Sequence, residues 1–80
     1  MFVQVLFFAA MKDHFSSQER LELTEESNVR GLRDFLLERK PEASSLLQVS
    51  RFAVNQVVVG DEFILQEGAI VAVLPPSSGG

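Results

Sequence analysis

Residues 2–8, Phe-Val-Gln-Val-Leu-Phe-Phe, are β-branched or aromatic apart from one glutamine, leucine completing the set. Such a run predicts a strand. Period two puts Val3, Val5 and Phe7 on one face and Gln4, Leu6 and Phe8 on the other. Residues 12–18 are polar and read as a loop, with His14 as a solvated member. Residues 20–24, Arg-Leu-Glu-Leu-Thr, alternate cleanly and predict a second strand that forms a hairpin with the first, Leu21 and Leu23 facing inward. The period then changes. Val29, Leu32, Phe35 and Leu36 fall on one face at helical spacing, after the capping residues Ser27 and Asn28 and before Pro41, so a helix is expected over 29–39. Gly31 costs that helix roughly 1 kcal/mol relative to alanine, which makes it depend on packing. Leu37 lies off the stripe and is expected to be half exposed.

Beyond Pro41 the pattern weakens, with a short helical turn expected around Leu46 and Leu47. Residues 52–54 and 57–59 are strand-like on either side of Asn55-Gln56, as one bent strand or a short hairpin. Gly60-Asp61 breaks the chain, residues 63–65 link, and Glu67-Gly68 turns it into residues 69–74, an apolar run without a charge that reads as a central strand. Strand pairs flanking one helix describe an α+β domain whose helix covers one face of a mixed sheet. The other face lacks a cover. Period two sends Val71 and Val73 to the core and Ile70, Ala72 and Leu74 to the open face. With the first and last strands as neighbours, these join Leu6 and Phe8 in an apolar patch, of the kind that partners bind.

That patch lies at the root of residues 74–80, Leu-Pro-Pro-Ser-Ser-Gly-Gly, which are expected to close the chain. Pro75 and Pro76 fix φ and lack N–H donors, so the chain should leave the last strand as a stiff polyproline-like stalk. The prolines make the tail continuous with the fold, unlike an appended linker. Ser77, Ser78, Gly79 and Gly80 add no bulk, and the six residues after Leu74 span at most roughly 20 Å, enough to carry a terminal carboxylate deep into a pocket on another protein. Glycines pass where a Cβ would collide. The expected division is a folded domain over 1–74 and an extended tail over 75–80.

Composition narrows the chemistry. Eighty residues, 46% of them hydrophobic, suit one small globular domain. The absence of cysteine excludes disulfides, thiolate metal sites and side-chain persulfides, and a lone histidine argues against a metal site. A net charge of −4 with scattered basic residues argues against a nucleic-acid surface and for a basic partner. The apolar runs are too short to cross a bilayer and residues 1–2 lack the basic region of a signal peptide, so a cytoplasmic location without membrane attachment is expected. No Ser/His/Asp set, P-loop or Gly-rich nucleotide motif occurs.

Residues 5–9 (Val-Leu-Phe-Phe-Ala), residues 53–56 (Ala-Val-Asn-Gln), Leu74-Pro75-Pro76 and the closing Gly79-Gly80 together resemble the small subunits of molybdopterin synthases, which are β-grasp, ubiquitin-like sulfur carriers. The resemblance runs the whole length, and Pro-Pro, two residues and Gly-Gly is its most specific part. Lys12-Asp13 stand where that family commonly has Arg-Glu, Leu74 where it has Phe, and Ala69 where it has an acidic residue.

The resemblance implies a β-grasp fold and a reactive Gly80, with Gly79 beside it. An adenylating, E1-like enzyme would activate the Gly80 carboxylate with ATP, and a sulfur donor would convert it to a thiocarboxylate. The tail would then enter the large subunit and pass sulfur to cyclic pyranopterin monophosphate, building the molybdopterin dithiolene. This chain would bind no cofactor and would act as a non-catalytic, sulfur-donating subunit, the acid/base groups lying on its partner. Its partner-binding residues would be Leu6, Phe8, Ile70, Leu74, Pro75, Pro76, Ser77 and Ser78. A carrier for thiamin or tRNA thiolation would use the same Gly80 chemistry, and a ubiquitin-like modifier would form isopeptide bonds through it.

Overall fold

The computed structural model describes residues 1–76. Five strands form one mixed sheet: β1 (Phe2–Phe7), β2 (Gln18–Glu22), β3 (Arg51–Val54), β4 (Val57–Val59) and β5 (Ile70–Leu74). Helices α1 (Val29–Arg39) and α2 (Ser44–Val49) lie between β2 and β3, α2 entered through a short 3₁₀ turn at Pro41–Ala43. The strand order is β2-β1-β5-β3-β4, with β1 and β5 parallel and the other neighbours antiparallel. The uncharged last strand is therefore the central one, as a run with no polar side chain should be.

Alternation fixes the faces. Val3, Val5 and Phe7 of β1, Val71 and Val73 of β5 and Phe52 of β3 are buried together with Val29, Leu32 and Leu36 of α1 and Leu47 of α2. The helical layer thus covers one face only. Phe35 and Leu37 are half-buried at its margins.

The helix spans the residues that its spacing predicts, because its N-terminal donors all find partners. Asn28 Oδ1 accepts from the Gly31 N–H at 2.9 Å, and Asn28 O from Leu32. The N–H groups of Val29 and Arg30 donate to the carbonyls of Phe63 and Asp61 at 3.0 and 2.9 Å, so the 60–65 segment closes the helix start. Arg33 fastens the far side of α1: it donates to the carbonyls of Leu47 and Ser50, pairs with Asp61 at 2.8 Å, and lies over the Phe52 ring. Asn55 and Gln56 take positive φ, 48° and 75°, the primed turn that suits a two-residue hairpin. This resolves residues 52–59 as a hairpin instead of a bent strand.

Two expectations need correction. The second strand begins at Gln18 and ends at Glu22, two residues earlier than alternation suggests, because Leu6 pairs with Gln18 and Val5 with Glu19. Glu19 can occupy the helix-covered face because Arg39 reaches it at 3.1 Å. Leu23 stays buried beyond the strand end. The 12–18 segment is also less polar in its role than in its composition. A 3₁₀ turn at Ala9–Asp13 buries Met11, and Phe15 folds in to stack on Phe7 with centroids 4.5 Å apart and planes 7° from parallel. Phe15→Ala should therefore cost about 3 kcal/mol, the lower end of the range for a buried phenylalanine. Urea unfolding would show this as a lowered midpoint at an unchanged slope; a surface-like loss below about 0.5 kcal/mol would remove Phe15 from the core.

Candidate docking face and tail root

The sheet face away from the helices is built by cross-strand register. In one row Gln18, Leu6, Ala72, Ala53 and Val58 stand side by side, and in the next Arg20, Gln4 and Ile70. Leu74 stands beside Arg51. Phe8 keeps extended dihedrals after β1 (φ −122°, ψ 158°), so its side chain continues the Gln4, Leu6 series. Ile70, Phe8 and Val58 are 49%, 44% and 55% exposed, while Leu6, Ala72 and Leu74 are half-buried. This face is the expected apolar patch, and among the described residues no helix lies on it.

Because β1 and β5 run parallel, their C-terminal ends share one edge of the sheet. Phe8 and Pro75 leave from that edge together. Pro75 is half-buried and Pro76 exposed, so the prolines carry the chain off the sheet at the top of the patch. Beside Phe8 is a shallow depression of about 310 Å³, lined by Leu6, Phe7, Phe8, Lys12, Ser17 and Gln18. Of the residues that the sequence proposes for the site, Leu6, Phe8, Ile70, Leu74, Pro75 and Pro76 gather on or at the edge of this one face. Ser77, Ser78, Gly79 and Gly80 lie outside the described residues.

The pattern of the ThiS family matches residues 5–80. The chain belongs to the ThiS family. It is 37% identical over 81 residues to the molybdopterin synthase sulfur carrier subunit of Caenorhabditis briggsae, covering 98% of this chain and 96% of that protein. A Pyrococcus furiosus structure provisionally assigned as molybdopterin converting factor, subunit 1, superposes with a TM-score of 0.84 at 26% identity, over 95% of this chain and 98% of the other. A chain from the complex of subunits 1 and 2 of the molybdopterin-converting factor of Helicobacter pylori superposes over the whole of both chains, with a TM-score of 0.73 and 26% identity. The fold of this ThiS-family chain is the ubiquitin-like β-grasp, as the resemblance implies.

Sequence reasoning missed the polar margin of the face. Gln18, Arg20 and Arg51 are exposed on it and Lys12 lines its depression. Alternation could have placed Arg51 opposite the last strand only if the β3–β5 register were known. The net charge of −4 is a sum over both sides of the sheet: exposed acids such as Asp34 and Glu38 belong to the helical layer, and Glu22 stands on the open face opposite Phe2. Among the described residues, no helix is long and apolar enough to cross a membrane.

Proposed function

We propose that this chain is the sulfur carrier subunit of a molybdopterin synthase, with Gly80 as the point of sulfur attachment. The observation that carries the reading is the 37% identity, over nearly the full length of both chains, to a protein of that name. The parallel β1–β5 pair supports it, because this pairing starts the Pro75-Pro76 stalk beside an uncovered apolar face. A carrier needs both parts: a surface that docks and an acyl terminus that reaches beyond it.

In this reading one oxygen of the Gly80 carboxylate attacks the α-phosphorus of ATP on an adenylating partner, and pyrophosphate leaves. Hydrosulfide, or its equivalent from a sulfur donor, then attacks the acyl carbon, AMP leaves, and loss of the remaining S–H proton leaves a thiocarboxylate. The absence of cysteine means that no side-chain thiol competes for the activated acyl group. Glycine is also the least hindered acyl residue for such an attack. Docking on the large subunit turns sulfur transfer to cyclic pyranopterin monophosphate into a step between groups already held together. This chain supplies sulfur and position, and general acids and bases belong to the partner. The complex functions in the cytoplasm.

The test is the intact mass of the protein isolated from its own cells, together with its fate on mixing with the large subunit and the pterin substrate. The carrier reading requires a population with one oxygen replaced by sulfur at Gly80, lost again as dithiolene forms. Higher-mass conjugates through lysine would show a protein modifier instead. Sulfur that leaves only in thiamin or tRNA thiolation would place the chain in another sulfur pathway.

A further inference from the structure

The cations of this chain divide into two groups. Arg33 and Arg30 are held by Asp61, at 2.8 and 3.9 Å, and Arg39 by Glu19. Among the described residues Lys12, Arg20, Arg51 and Lys40 have no carboxylate within ion-pair distance. The first three of these edge the open face. Arg20 lies over the Phe2 ring at its lower end, where Glu22 stands opposite Phe2 and Glu67 accepts from the Phe2 N–H. Lys12 and Arg51 belong to the upper end, on either side of the tail root: Lys12 beside Leu6 and Phe8, Arg51 across from Leu74. Among the described residues no acidic side chain lines the depression beside Phe8, although Asp13 follows Lys12 in the chain.

We propose that Lys12 and Arg51 form a cationic rim around the apolar centre at the tail root, and that the large-subunit surface docking there carries carboxylates around an apolar contact. The proposal rests on the function proposed above and adds the chemistry of the partner. Leu6, Phe8, Ala72 and Leu74 provide area without direction, so they do not by themselves fix the angle at which the stalk enters a channel. Two charges flanking that stalk fix orientation, and in a chain of net charge −4 they give an acidic partner one attractive approach. Rim charges act mainly on the rate and salt dependence of encounter.

The experiment is stopped-flow association of the full chain with the large subunit over a range of ionic strength, for wild type and for the Lys12→Glu/Arg51→Glu double variant, with a thermal melt of each free chain. Both side chains are exposed, so the melt should hold. Wild-type association should slow as salt rises, and the double reversal should lower the low-salt rate by about tenfold or more and flatten or invert the salt dependence. Wild-type association that ignores salt overturns the proposal without need of any variant. Reversal that leaves the rate unchanged also overturns it, and reversal that speeds association shows a basic partner instead. Should wild type fail to bind the large subunit at all, this inference falls together with the proposed function; binding that is indifferent to charge removes this inference alone.

Discussion

Removal of Gly80 should abolish sulfur loading and pterin conversion while leaving the thermal melt of the chain almost unchanged. The two effects separate because they draw on different parts of the chain. Val71 and Val73 close the core upstream of Pro75, and Pro76 is already exposed, so shortening the chain beyond it removes no buried apolar area from the described core. The proposed chemistry, by contrast, needs an acyl terminus of a fixed length. A chain ending at Gly79 falls about 3.5 Å short of where Gly80 would react, far outside the tolerance of a positioned transfer. Adding one residue after Gly80 should fail equally, since it moves the carboxylate and adds bulk. The measurements are intact mass after incubation with the activating enzyme, ATP and sulfur donor, and dithiolene formation with the large subunit. Continued dithiolene formation by the shortened chain would refute the carrier reading.

Leu74→Glu should fold and yet bind the large subunit roughly 10- to 100-fold more weakly, through the cost of a carboxylate trapped in an apolar contact. Leu74 is half-buried on the open face and stands across from Arg51, at the point where the stalk begins. In the free chain the new carboxylate keeps solvent on one side and gains Arg51 on the other, so the loss of stability should stay near 1 kcal/mol. In the complex the partner would remove that solvent. Paired measurements decide it: urea unfolding of the free variant and its titration against the large subunit. Collapse of the free fold would assign Leu74 to the core. Full stability with unchanged affinity would take the tail root out of the interface.

How much of this was legible beforehand depended on whether one element sufficed to settle a residue's position. α1 did, because stripe, cap and stop are all local: Val29, Leu32 and Leu36 face the core, Asn28 caps, and Pro41 ends the run. The faces of β1 and β5 did as well, since period two leaves one choice once Val3, Val5, Phe7, Val71 and Val73 are inside. Phe15 did not, because its burial depends on stacking against Phe7 from a segment with no period of its own. Glu19 did not, because only the nearness of Arg39 allows a carboxylate on the helix-covered face.

The site divides along the same line. By itself the sequence determined the apolar composition of the open face, its Leu6, Phe8, Ile70 and Leu74, and the fixed φ of Pro75 and Pro76 at its end, because each follows from alternation or from ring geometry within one segment. Only the tertiary structure decided that β1 and β5 run parallel and adjacent, which puts Phe8 and the tail root at one edge, and that β3 brings Arg51 beside Leu74. Charge was the least legible property. A net value sums both sides of the sheet, whereas a partner meets one, and which side a lysine or arginine edges is settled by pairing between strands distant in sequence.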